Sequence, residues 1–233
     1  MQNNKTQILC TRLLDSHLTE KLLQQNIEVD CLSFIEIKVD KSIALADKIQ
    51  ALSTEKLKVI FTSTNAVEAV DAHLISPPDW EIYCIGGKTK DIIEEKFDTN
   101  AIKGYADTAK ELAKLIVKKN TASSIYFFSG NKRMNHLPEI LSDNLFDLEE
   151  VVVYTTEPAQ HIIDKAYDGI MFFSPSAVNS FFAVNKIKDS VVLFAIGDTT
   201  ANAIADISDN EIVISRKPDA ELLLQKVSET FNT

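Results

Sequence analysis

Two stretches of this chain put hydroxyls where an apolar run turns into a helical pattern: "VIFTSTNAVEA" (59–69) and "MFFSPSAV" (171–178). Thr62, Ser63 and Asn65 sit at the first junction, Ser174 and Ser176 at the second. A Ser or Thr at such a junction caps the first helical turn. The unpaired N–H groups and the positive dipole end of that turn favour an anion. Pro175 presets φ where no backbone donor is needed. "IYCIGGKT" (82–89), "FFSGNKR" (127–133) and "FAIGDTTANAI" (194–204) are turns of the same kind, with Gly86, Gly130 and Gly197 letting backbone approach a ligand closely. Ser129, Thr199 and Thr200 add hydroxyls to them. Five such turns suit a large ligand with several carboxylates or phosphates, held mainly by N–H and O–H donors.

Other chemistries find little support. Gly87-Lys88-Thr89 resembles the end of a phosphate-binding loop, but Ile82 stands where that loop needs its first glycine. His17, His73, His136 and His161 lack metal-ligand spacing and read as solvated surface residues. No Gly-x-Ser-x-Gly elbow occurs. Cys10, Cys31 and Cys84 cannot make a full disulfide set; Cys10 and Cys84 lie in strand-like runs and read as small buried hydrophobes. Neither a metal nor a cofactor is expected.

The turns are positioned by a repeat. An offset of 111 residues places Phe61 on Phe172, Ser63 on Ser174, Ile85-Gly86 on Ile196-Gly197 and Thr89 on Thr200. The same offset continues to Ala109 on Ala220 and Leu112 on Leu223, which marks a duplicated unit. In each copy short, almost continuously apolar strands alternate with helices, the mark of a parallel sheet covered on both faces. In the first copy helices are expected near Asn65, near Thr89 and over 108–119, and "SSIYFFSG" (123–130) and "LEEVVVYT" (148–155) supply two further strands. The second copy finds its missing pair at the other end of the chain: "TQILCTR" (6–12), a helix over 17–26 and "EVDCLSF" (28–34). The expected fold is therefore α/β: two similar five-stranded parallel-sheet domains of flavodoxin-like kind, one of them discontinuous. Residues 1–34 plus 157–233 form the first and residues 35–156 the second. "FIEIKV" and "VVVYTT" carry the two crossings as a two-stranded linker ladder. Ligands of open parallel sheets bind beyond the carboxyl ends of the strands, so the expected site lies between the lobes, where both sets of turns can reach one molecule.

The 233 residues suffice for two such domains, with 45% hydrophobic and 25% charged residues. No apolar run reaches the length of a membrane span. The polar start "MQNNKTQ" leads straight into a strand, so a cytoplasmic location is expected. A net charge of −10, with arginine only at positions 12, 133 and 216, argues against nucleic acid as a partner.

These motifs resemble the uroporphyrinogen-III synthase family. The resemblance is carried by "LCTR" (9–12), "VIFTSTNAVEA", "IYCIGGKT", "FFSGNKR", "VVVYTT" (151–156), "MFFSPSAV" and "FAIGDTTANAI", in the family's order over most of the chain. Leu13, where many members have proline, and Lys90 are looser matches. The resemblance implies two α/β domains on a two-stranded ladder, a monomer, and no cofactor. It implies a lyase that closes hydroxymethylbilane, a linear tetrapyrrole with eight carboxylates, into uroporphyrinogen III on the way to haem and related tetrapyrroles. Water is lost, ring D is inverted, and the bilane is handed over transiently by the enzyme that makes it. By motif, Tyr154 is the candidate acid for the leaving hydroxyl. Thr62, Ser63, Asn65, Gly86, Ser129, Gly130, Ser174, Ser176, Gly197, Thr199 and Thr200 are the expected carboxylate contacts, with Arg12 and Lys132 as neutralising cations. The acidic balance opposes such a substrate at long range, but over a screening length of about 8 Å local donors can prevail. Two rivals are a non-enzymatic two-lobed binding protein for small anions and a two-domain racemase. The second needs a cysteine at matched turns, where Ser63 and Ser174 stand instead.

Overall fold

Why the chain makes two sheets follows from its alternation of short apolar strands and amphipathic helices, and the computed structural model describes residues 5–119 and 124–232. One unit comprises Met1–Glu36 and Glu157–Thr233, the other Ile37–Thr156. Ile35 and Glu36 thus fall with the first unit, two residues beyond the crossing expected from sequence.

The first unit is built from strands β1 (Thr6–Cys10), β2 (Ile27–Cys31), β9 (Gly169–Phe172), β10 (Val192–Ala195) and β11 (Ile212–Ile214), in the order β11-β10-β9-β1-β2. All their pairings are parallel. The second sheet contains β3 (Ile35–Val39), β4 (Lys58–Phe61), β5 (Glu81–Ile85), β6 (Ile102–Ala106), β7 (Ile125–Gly130) and β8 (Leu148–Pro158), in the order β3-β8-β7-β4-β5-β6, and all but the first two residues of β3 and the last two of β8 belong to the second unit. Its core pairings β4 with β5 and β7, β5 with β6, and β7 with β8 are parallel too. Set β3 aside and the orders superimpose: β4, β5, β6, β7 and β8 occupy the places of β9, β10, β11, β1 and β2. The second sheet therefore has six strands, because β3 adds itself to β8. These are the two strands expected to carry the crossings. Of the strand expected over 123–130, Ser123 lies outside the described residues.

Buried side chains lie on both faces of each sheet, as strands with helices on either side require. In the second unit α2 (Ile43–Ser53), α3 (Thr64–Asp71) and α4 (Lys88–Lys96) cover one face, over Phe61, Trp80 and Phe128. The other face lies under α5 (Ala109–Lys118) and α6 (His136–Asp143), over Ile60, Tyr83 and Phe127. In the first unit α7 (Pro175–Phe182) and α8 (Asp198–Ala205) cover Leu9, Ile170 and Phe172. There α1 (Ser16–Leu23) and α9 (Ala220–Phe231) cover Ile8, Met171 and Phe194.

The helix α2 is an addition to the expected set. Leu45, Ile49 and Leu52 form its buried stripe, Ser42 caps it through Leu45 N, and the Trp80 indole donates to Leu52 O at 3.1 Å. The first unit has no helix at the matching place. There an irregular segment is pinned by side chains: Asn185 Oδ1 accepts from Ile163 N at 2.8 Å, and Asp30 Oδ2 accepts from Lys165 Nζ at 2.6 Å and Tyr167 Oη at 2.8 Å. Among the described residues no helix is long and apolar enough to cross a membrane.

Candidate functional site

At the carboxyl edge of the second sheet, β4 ends in Phe61 and the chain passes through Thr62 to Ser63. Ser63 is extended (φ −149°, ψ 149°), and its Oγ accepts from Ala66 N, so it caps α3. The same Oγ lies 3.1 Å from the phenol oxygen of Tyr154 on β8. Tyr154 pairs with Gly130 on β7, at the point where the ladder slips by one residue beyond Ser129 and Val152. That slip re-aims the strand end, as bulges do. It also presses the ring onto Gly130: a Cβ there would stand 2.4 Å from Tyr154 Cζ and 2.7 Å from its hydroxyl oxygen. Only glycine leaves room for the phenol.

The turn after β7 is fastened around this tyrosine. Asn131 N donates to Tyr154 O at 3.2 Å, and Asn131 Oδ1 accepts from Thr156 N at 2.8 Å. Arg133 donates through Nε and Nη2 to the Glu150 carboxylate, and Ser129 Oγ donates to Glu150 Oε1 at 2.7 Å. The Arg133 guanidinium, with the Ser129 hydroxyl second among the hydrogen-bond donors, holds the Glu150 carboxyl below the usual carboxylate range. Asn65 lies half-buried on the first turn of α3, and Lys132 is exposed at the tip of the β7 turn. On the neighbouring strand β5, Gly86 N donates to Ala106 O, and Gly87, at φ +66°, caps α4.

The first unit repeats the scaffold with other residues. Ser174 is extended and accepts from Ala177 N at 3.2 Å, capping α7 with Pro175 in its first turn. Ser176 is half-buried beside it. Gly197 caps α8 in an extended conformation, and a Cβ added there would meet nothing within 4 Å. Thr199 is exposed on the first turn of α8. Arg12 leaves β1 with its guanidinium 4.1 Å above the Phe173 ring. Its Nε is buried, without a hydrogen-bond partner among the described residues. Thr11 steadies that exit by donating Oγ1 to Met171 O at 2.8 Å.

Within each unit the expected residues therefore gather at one sheet edge. Tyr154, Thr62, Ser63, Asn65, Gly130 and Lys132 meet at the ends of β4, β7 and β8, with Gly86 on adjacent β5. Arg12, Ser174, Ser176, Gly197 and Thr199 follow the adjacent strands β1, β9 and β10. Ser129 and Thr200 fit the expectation less well, being 2% and 3% exposed, and Ser129 gives its hydroxyl to Glu150. Sequence reasoning passed over Glu150 and Arg133 as a pair. The available signal was a carboxylate inside the apolar run "EEVVV", which needs a partner when its strand is buried.

One smaller expectation, for the histidines, is corrected, and the one for Cys10 and Cys84 is met. His73 and His161 are half-buried rather than solvated: His73 Nε2 lies 2.8 Å from Asp40 O, and His161 packs edge-on against Phe34. Cys10 and Cys84 are buried, but Cys31 is only half so. Among the described residues no group of three or more His, Cys, Asp and Glu side chains is arranged to hold a metal ion.

The family profile described as uroporphyrinogen-III synthase HemD matches residues 16–225. No curated protein sequence matches the chain. Among solved structures, uroporphyrinogen-III synthetase from Helicobacter pylori superimposes with a TM-score of 0.67 at 16% identity, covering 97% of this chain and 99% of that one. A mutant uroporphyrinogen III synthase from Thermus thermophilus gives 0.66 at 13% identity, covering 97% and 99%. At such identities the likeness is one of fold.

Proposed function

The chain belongs to the uroporphyrinogen-III synthase family, and from that premise we propose that it closes hydroxymethylbilane into uroporphyrinogen III as a cyclising hydro-lyase, with Tyr154 as the acid. The observation that carries the role of Tyr154 is its hydroxyl, held 3.1 Å from Ser63 Oγ at the carboxyl edge of the sheet. A phenol is a weak acid, so geometry must supply what acidity does not. Gly130 and Asn131 fix the ring and backbone of Tyr154, and Ser63 is itself anchored by Ala66 N.

The step follows from those contacts. The Tyr154 proton passes to the terminal hydroxyl of the bilane, the C–O bond breaks, and departing water leaves an azafulvenium cation beside the phenolate. The Ser63 hydroxyl then donates to the phenolate oxygen, which lowers the cost of that charge. Ring D attacks through its substituted carbon to give a spiro intermediate; fragmentation and reclosure invert the ring, and the final proton lost from the macrocycle can return to Tyr154. Uncatalysed closure gives the uninverted type I isomer, so holding the bilane curled is the larger part of the task. The carboxylates go to the N–H and O–H donors at Thr62, Asn65, Ser174, Ser176, Gly197 and Thr199, and Lys132 and the free Arg12 Nε offset their charge; Gly86, whose N–H is given to Ala106 O, offers only close approach.

The test supplies freshly made hydroxymethylbilane and separates the type I and type III products. Wild-type protein is expected to give type III, and Tyr154→Phe to form it about 10²-fold or more slowly. Type I alone at the uncatalysed rate from the wild type overturns the assignment. An unimpaired Tyr154→Phe removes the phenol from the chemistry.

A further inference from the structure

Cys10 and Cys31 are cross-strand partners at the carboxyl ends of β1 and β2. Side chains of register partners in a parallel pair leave the sheet on the same side, and neighbouring strands run about 4.8 Å apart. That spacing falls inside the Cα separation a disulfide accepts, about 4.4–6.8 Å. Both sulfurs pack against the same group of side chains, which includes Leu14 and Phe173. Cys10 is fully buried, while Cys31 is partly open. Both cysteines lie outside the residues given to the synthase reaction.

We propose that Cys31 is a peroxide-reactive thiol and that Cys10 resolves its oxidation into an internal Cys10–Cys31 disulfide. The Cys31 thiolate attacks one oxygen of a hydroperoxide, the O–O bond breaks, and Cys31 becomes a sulfenic acid while an alcohol or water departs. The Cys10 sulfur then attacks the Cys31 sulfur. An S–S bond forms, the S–O bond breaks, and hydroxide leaves as water with the Cys10 proton. Two thiols and one hydroperoxide give one disulfide, one alcohol and one water.

The surroundings divide the two roles. A hydrogen bond from the Cys10 thiol brings the Cys31 thiol down to about 7, against its own burial and helped by the Leu14 backbone and the Arg12 charge; Asp30 opposes. Burial pushes the Cys10 thiol up, so it keeps the proton that it offers its neighbour. A partly open, partly ionised attacker beside a buried, protonated resolver is the arrangement of a redox-sensing pair. Cys84, pushed up to about 11 by burial, is the internal control.

Thiol mapping of the whole reduced chain tests this without reference to synthase activity. Cys31 should alkylate at least about tenfold faster than Cys84 near neutral pH. After hydrogen peroxide, peptide mapping should recover a Cys10–Cys31 crosslink within one chain, with Cys84 still free. In Cys10→Ala, Cys31 should stop at a sulfenic acid that dimedone traps. If that variant fails to fold, the first two readouts on the native chain decide alone. Equal alkylation of Cys31 and Cys84, oxidation of Cys31 without the crosslink, or crosslinks only between two chains would overturn the proposal.

Discussion

The carboxyl edges of the two sheets share a scaffold and differ in what they carry. Phe127 faces Glu150 across β7 and β8 where Ile8 faces Val29 across β1 and β2. Two residues on, Ser129 faces Val152 where Cys10 faces Cys31. The second unit thus braces its strand ends with a carboxylate, a guanidinium and a hydroxyl, and sets a phenol against Ser63 beyond them. The first unit has a thiol pair at that level, and Leu32, Ser33 and Phe34 follow β2 instead of a tyrosine. Both edges keep their Ser caps, at Ser63 and Ser174. A duplicated sheet can hold a ligand at both copies; in the proposed reaction the second supplies the proton through Tyr154, and the first contributes binding.

Two glycines put that division under the heaviest load. In Gly130→Ala the new methyl would overlap the Tyr154 ring, which must swing away from Ser63. Overpacking of this kind costs about 1–3 kcal/mol of stability, and displacement of a reacting group by about 1 Å can cost 10²-fold in rate. Gly197→Ala adds its methyl to open space on extended backbone, so stability should stay within about 0.5 kcal/mol. If Gly197 lets a ligand approach, its variant should raise KM and spare kcat. Steady-state type III formation by both variants, with denaturant midpoints beside it, checks the contrast; equal losses of kcat would erase it.

How much of this could be read beforehand depends on range. The offset of 111 residues, the strand–helix alternation and the caps at Ser63 and Ser174 are local patterns, and they led to the duplicated sheets. Tyr154 entered through a family motif, because nothing in "VVVYTT" says that its ring lies on Gly130. That contact depends on a one-residue slip between strands distant in sequence. The bond between Ser129 and Glu150 is equally non-local, so Ser129 looked like a ligand contact and proved to be part of a brace. Cys31 was hidden for another reason: whether a half-apolar strand position is open depends on the loop above it. The helix α2 carried a legible cap and stripe but no partner in the repeat to draw attention to it.

Matched serine variants give a finer cut. Ser63→Ala and Ser174→Ala each remove a cap bond of 3.2 Å, so each should lose about 1 kcal/mol of stability. Only Ser63→Ala also deprives Tyr154 of its hydroxyl partner. An interaction of about 1.4 kcal/mol felt in the transition state is a factor of ten, so type III turnover should fall about tenfold in Ser63→Ala. Ser174→Ala should change KM alone. Equal turnover in the two would mean that the Ser63 hydroxyl serves as a cap and nothing more.

The smallest effect concerns the brace, and its pH dependence carries the sign. Arg133 and Ser129 hold Glu150 below its ordinary value near 4.5, so between the folded and unfolded values the unfolded chain binds more protons. The brace is therefore fully in force above about pH 4.5 and is lost as pH falls through the lower folded value. Glu150→Gln keeps the shape and removes the charge; near neutral pH it should cost about 1 kcal/mol, since the pair is partly screened by solvent. Urea midpoints of wild type and variant should be furthest apart near pH 7 and converge as pH falls through the lowered value of Glu150. The first unit has uncharged Val29 at the same register, so a sheet of this kind does not need the ion pair in order to fold. If Glu150→Gln lowers type III turnover at pH 7 more than its stability loss explains, the pair serves to hold the Asn131 turn, and through it the Tyr154 carbonyl, at the edge where the phenol works.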